Sequence, residues 1–191
     1  MRLKCGHVLL SGALIVMMSA FAPARNTFTT AETQQISVAT PGLFRLSSAF
    51  KVDFSALRAN EYSFPLPVGK AEKMGNGELE ISTTRGDAVK AMFDGVVRLS
   101  GENPSYGNVI VIRHDNGLET VYANNTQNLV KVGERIKAGQ TIAIVGAEGD
   151  RAYCKFSIMV NGGRINPDII LDNKSHRLRK QVLLCENRNS Y

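Results

Sequence analysis

From residue 79 to residue 160 the apolar positions fall in short alternating or β-branched runs, each closed by a turn signal. Runs at 79–82, 87–92 and 96–100 read as strands, with Asp94-Gly95 as a turn between the last two. Val109-Ile110-Val111-Ile112 is uninterrupted and suits a strand buried on both faces. Asn116-Gly117 follows it, the dipeptide that best tolerates the positive φ of a tight hairpin, and 118–123 returns as its partner. Gly133 and Gly139 bracket 134–138, then 141–145 and 155–160 supply two more strands, and Asn161-Gly162-Gly163 marks a second hairpin. No sustained helical period occurs between residues 62 and 171. The fold class expected is all-β, an antiparallel β-sheet core of short strands and hairpins.

The flanks read differently. Residues 1–24 have the three-part layout of a secretory signal peptide: Arg2 and Lys4, an apolar run over 8–21, and small residues ending at Ala22-Pro23-Ala24. That run is shorter than the roughly 20 residues needed to span a bilayer. The alternative is an uncleaved anchor, in which case the segment is the chain's membrane contact. Cys5 precedes the apolar run and so is not a lipoprotein cysteine. Residues 25–60 form an N-terminal extension: 27–40 is polar and reads as a linker, and 41–57 carries scattered apolar residues that suit a short docked helix or strand. Phe64-Pro65-Leu66-Pro67 gives an extended lead-in to the core domain, placed at 61–172. The basic tail, 173–191, is expected to be a short helix or a disordered end.

Composition narrows the function classes. With 43% apolar residues the chain can build a core, and its net charge of +6 falls to +4 once the leader takes Arg2 and Lys4 away. A mildly basic exported protein suits an anionic envelope surface. No Lys/Arg run interleaved with aromatics points to nucleic acid. Cys154 and Cys185 remain after export, as one disulfide or as two separate thiols.

A series of signposts, in order, resembles one family. It comprises Phe64-Pro65, Gly86-Asp87-Ala88-Val89-Lys90-Ala91, Asp94-Gly95-Val96-Val97, the stretch from Tyr106-Gly107-Asn108 to His114, Thr120-Val121-Tyr122-Ala123, the stretch from Val132-Gly133 to Gly139-Gln140, Ile144-Val145-Gly146, Phe156 and Asn166-Pro167. Over about residues 62–171 the chain is similar to the lysostaphin-type, LytM-like zinc endopeptidases that cut peptidoglycan peptides. The paired Val-x-x-Gly hairpins are also similar to those of lipoyl and biotinyl carrier domains. Those carry cofactor on a Lys in an exposed turn, and the turn at 147–151 has none.

The resemblance implies a zinc site with three protein ligands and an open position for water. The family draws its ligands from His-x-x-x-Asp and from the second His of His-x-His, with two further His assisting. Here Glu80 falls in the Asp place and Asn76 in the first His place. Asn124 replaces the His after Tyr-x, and Tyr153 and Lys155 take the places of His-x-His. All five positions, Asn76, Glu80, Asn124, Tyr153 and Lys155, are changed. No catalytic residue and no metal or other cofactor is expected, zinc entering only if an unusual site survives. Of the three His, His7 lies in the leader, His114 ends a strand with a structural hydrogen bond, and His176 lies in the tail. A Glu80–Lys155 ion pair is expected to stand in for the metal.

Three functions follow from this resemblance. One is an inactive domain that binds peptidoglycan or regulates a cell-wall hydrolase, in the periplasm or cell envelope. A second is an active metallopeptidase with a non-standard site. The third is a structural envelope module.

Overall fold

The computed structural model describes residues 2–7 and 28–188, with backbone only for 2–7 and 188. The described elements are β1 (Arg2–His7), α1 (Thr30–Gln34), β2 (Ala49–Asp53), β3 (Lys70–Lys73), β4 (Glu78–Thr83), β5 (Ala88–Lys90), β6 (Gly95–Asn103), β7 (Gly107–Arg113) and β8 (Leu118–Asn128). They continue with β9 (Arg135–Ile136), β10 (Thr141–Glu148), β11 (Arg151–Val160), β12 (Gly163–Ile165), β13 (Leu171–Asp172), β14 (Arg177–Leu178) and β15 (Val182–Arg188). The main antiparallel sheet runs β3-β4-β11-β10-β8-β7-β6-β9, with β11 also paired to β8. The all-β reading holds, and the turn chemistry explains why. Gly117 sits at φ 84° between β7 and β8, and Asn161 and Gly162 sit at φ 51° and 79° between β11 and β12. Both hairpins need the left-handed backbone that Asn and Gly tolerate.

Strand alternation divides the sheet into two faces. Leu79 and Ile81 of β4, Ile110 and Ile112 of β7, Tyr122 of β8, and Cys154, Phe156 and Ile158 of β11 point into the main core. Leu99, Val109, Val111, Val121, Ala123 and Met159 gather on the opposite face with Ile36.

The flanks differ from the sequence expectation. Residues 28–40 are not a free linker. Thr29 caps α1 with a reciprocal box: it accepts from the Glu32 N–H, and Glu32 Oε2 accepts from the Thr29 N–H at 2.9 Å. Through residue 188 the tail is neither helix nor disordered end. Its strand β15 pairs with β2, and Leu183 and Cys185 join Val52 and Phe54 in the main core. On its other side β15 pairs with β1, so the first residues of the expected leader are strand here. The apolar run at 8–21 and the cleavage site lie outside the described residues.

A buried charge network holds the N-terminal extension to the sheet. Arg98 and Glu119 are both fully buried, joined by Nε to Oε1 at 2.8 Å and Nη2 to Oε2 at 3.1 Å. Arg98 also donates to the backbone carbonyls of Glu32, Gln35 (2.8 Å) and Ile36 (2.7 Å). Arg113 links the same Glu119, at 2.8 Å, to the Glu32 carboxylate, at 2.7 Å. Every oxygen and nitrogen in this bidentate pair is thus occupied, which is what makes a buried pair tolerable.

Replacing Arg98 by Met leaves the buried Glu119 charge to Arg113 alone and strands three carbonyls. R98M should lose roughly 3–5 kcal/mol of unfolding free energy in urea, read by far-UV circular dichroism. It should also expose residues 28–40 to a broad-specificity protease. A loss below about 1 kcal/mol would show that the network is incidental.

Candidate functional site

Strand β11 is the spine of the site. Its odd positions Arg151, Tyr153, Lys155 and Ser157 share the face opposite the main core, as period-two alternation requires. On one side it pairs with β4, setting Lys155 opposite Glu80 and Ser157 opposite Glu78. On the other it pairs with β8, setting Lys155 opposite Ala123. An open cavity of about 380 Å³ lies here, lined by Met74, Gly75, Asn76, Glu78, Glu80 and Lys155. Asn76, Glu80 and Lys155 therefore meet at one place, as their motif positions imply.

Their partners differ from those expected. Glu80 does not pair with Lys155. Its carboxylate is bonded to the Arg151 guanidinium, four residues before Lys155 on the same face of β11. The Lys155 ammonium instead lies 5.8 Å from the centre of the Tyr153 ring and 6.0 Å from that of Tyr106. Facing rings take up a cation at this range. Arg151 approaches the Tyr153 ring to 5.2 Å and Arg164 the Tyr106 ring to 5.6 Å. The result is a ladder: Arg151, Tyr153, Lys155, Tyr106, Arg164. Its outer cations reach carboxylates, Arg151 at Glu80 and Arg164 at Glu78 (3.7 Å). Arg164 also donates to the Tyr106 hydroxyl at 2.7 Å.

The other positions that the resemblance singles out make structural contacts. Asn76 caps the turn before β4: its amide N–H donates to the Glu78 carboxylate and its Oδ1 accepts from the Glu78 N–H at 3.2 Å. Asn124 adopts φ 63° where the β8 pairing is irregular, and its amide donates to the Tyr153 carbonyl at 2.8 Å. It thereby ties β8 to β11 and does not line the cavity. The Tyr153 hydroxyl bonds to the Glu148 carboxylate, and burial together with that bond pushes its pKa up to about 12.

The zinc that the resemblance implies does not suit this donor set. Lys155 offers an ammonium with no lone pair in the place of a ligand His. Glu80 is committed to Arg151, and Tyr153 keeps its proton at neutral pH. Among the described residues, no group of three or more His, Cys, Asp or Glu could hold a metal ion.

The cysteines do not bond to each other. Cys154 sits on β11 and Cys185 on β15, strands of different sheets that enter the core separately. Burial pushes the Cys154 thiol up to about 12. His114 has the structural role expected of it. Its Nδ1 bonds to the Asp94 carbonyl and its Nε2 to the Thr120 hydroxyl, both at 2.8 Å. A carbonyl only accepts, so Nδ1 carries the proton and Nε2 accepts. Thr120 in turn bonds to the Tyr122 hydroxyl at 3.0 Å, which accepts from the Met92 N–H at 2.7 Å. His176, assigned to the tail, stacks on Phe64 with ring centres 4.1 Å apart.

Sequence reading missed Arg151, Tyr106 and Arg164. Arg151 was legible, since it lies two and four positions before Tyr153 and Lys155 on one strand. Tyr106 and Arg164 come from elements separated by more than 50 residues, and nothing local marks them as neighbours.

Comparison with known proteins matches this geometry to a family. Residues 75–167 match the model of peptidase family M23. The chain carries a peptidase M23 domain. It is 35% identical over 99 residues to the murein hydrolase activator NlpD of Salmonella dublin, covering 51% of this chain and 26% of NlpD. It is 39% identical over 89 residues to the murein hydrolase activator EnvC of Escherichia coli, covering 46% and 21%. It is 40% identical over 84 residues to the peptidoglycan DD-endopeptidase ShyC of Vibrio cholerae, covering 43% and 19%. The match thus spans about a quarter or less of each relative. Among solved structures, lysostaphin from Staphylococcus simulans has the same fold, with a TM-score of 0.52 at 22% identity, over 59% of this chain and 52% of that one.

The M23 domain should respond to acid through His114. Burial holds its pKa down at about 4, against an ordinary value of 6.5. The unfolded chain therefore takes up the proton first. The contribution is complete above about pH 6.5 and is lost as pH falls through 4, amounting to about 3 kcal/mol. Urea unfolding across that window should show this loss, and the slope should flatten in H114Q. An unchanged slope in H114Q would assign the acid sensitivity elsewhere.

Proposed function

We propose that the chain is an exported M23-domain protein that has given up hydrolysis and regulates a murein hydrolase at the peptidoglycan. The observation that carries this reading is the Lys155 ammonium, held between two Tyr rings where a ligand His would stand. A metal needs a lone pair there, and a fixed cation repels it. Asn124 and Tyr153, in the places of proton-moving His, are committed to a backbone carbonyl and to Glu148. Two of the relatives are named as hydrolase activators, which supports regulation over a purely structural role. Export rests on the leader pattern at 1–24, and the site of action would be the periplasm or envelope. The ShyC likeness favours a second reading, a peptidase with a non-standard site.

One set of assays separates the two. The purified chain should carry no stoichiometric zinc by elemental analysis and release no muropeptides from isolated sacculi. It should sediment with sacculi, and it should raise muropeptide or peptide release when a murein amidase or endopeptidase is added. Stoichiometric zinc together with cleavage by the chain alone would establish the peptidase reading. Absence of both sacculus binding and stimulation would remove the regulatory one.

A further inference from the structure

The cation ladder has an imbalance at its centre. Arg151 and Arg164 each reach a carboxylate, and Lys155, between them, reaches only rings among the described residues. Lys155 is also the cation that lines the cavity. The two carboxylates beside it are already engaged, Glu80 by Arg151 and Glu78 by Asn76 and Arg164. Two donors on the neighbouring positions lack a partner as well. Ser157 Oγ, on the Lys155 face of β11, and Arg164 Nε are buried without a hydrogen-bond partner. A half-buried ammonium with three donors gains most from an anionic acceptor arriving from the open side.

We propose that Lys155 is an anion-binding residue that receives the carboxylate of a peptide laid in this cavity, at the place a metal would otherwise occupy. The Tyr106 and Tyr153 rings hold the ammonium in position by its cation–π contacts, leaving its N–H groups for the ligand. Glu80 and Glu78 neutralise the outer cations, so the attraction is focused on one point. The ligand class is therefore a short peptide with a single free carboxylate reaching the pocket. A cell-wall peptide whose C-terminal carboxylate alone enters the cavity is the ligand assigned, and its choice over a protein segment rests on the wall reading given above.

The test uses the full chain and N-acetyl-D-alanyl-D-alanine, with its C-terminal amide as the uncharged control, in an NMR titration. The acid should shift the Lys155 side-chain and the Tyr106 and Tyr153 ring signals. It should bind about tenfold or more tightly than the amide. K155M should lose that preference, and K155R, which keeps the charge, should restore most of it with an unchanged fold by circular dichroism. Equal binding of acid and amide, or no shift of these signals at millimolar peptide, overturns the proposal. So does a K155M protein that loses hydrolase stimulation while the wild type ignores the peptide, because the occupant is then a protein segment. Carboxylate-dependent binding in a chain that neither sediments with sacculi nor stimulates a hydrolase would keep this inference and reject the regulatory reading.

Discussion

The site depends on a single constraint, the pairing of β11 on both of its edges. With β4 on one side and β8 on the other, the strand cannot slip or rotate. A one-residue slip would exchange Tyr153 and Lys155 for Cys154 and Phe156 and bury two polar groups in the main core. Register thus decides chemistry. It presents a cation, a ring and a second cation in a row, and it brings Glu80 and Glu78 alongside on β4. The Asn124 amide strengthens the same junction from β8. A residue that looks like a lost catalytic group is a cross-strand tie.

The opposite end of that face has a different solution to burial. Val109, Val111, Val121, Ala123 and Met159 would be exposed apolar surface without residues 28–40 over them. The extension is anchored by Arg98, whose guanidinium meets Glu119 and three carbonyls, and by Thr40, whose N–H donates to Asn161 Oδ1 at 2.9 Å. The sheet face is therefore shared. One part is covered by the chain itself, and the part around Lys155 stays open.

Much of this fold was legible because local chemistry and tertiary structure agree. Asn116-Gly117 and Asn161-Gly162 sit at the hairpins they signal, and the β-branched runs are the inner strands. Where reading failed, long-range pairing had overridden weak local signals. Residues 182–188 become a strand because β1 and β2 offer edges on either side, and a polar extension is held in place by Arg98, Arg113 and Asn161. At the site, the motif positions Asn76, Glu80 and Lys155 converged as the resemblance implies. Sequence could not choose the partner of Glu80, because Arg151 and Lys155 share the face of β11 that lies beside it. The choice went to Arg151 once the Tyr106 and Tyr153 rings had taken Lys155.

The fold sets Asn76, Glu80 and Lys155 around one open cavity and so limits what that cavity can hold. A ring-bracketed ammonium there suits an anion and not a divalent cation. The most direct measurement is an anomalous difference map at the zinc edge from crystals of the full chain soaked in excess zinc. The account predicts no peak between Asn76, Glu80 and Lys155, with the Lys155 Nζ still between the two Tyr rings. A strong peak there, with Lys155 swung away and Glu80 released from Arg151, would contradict it.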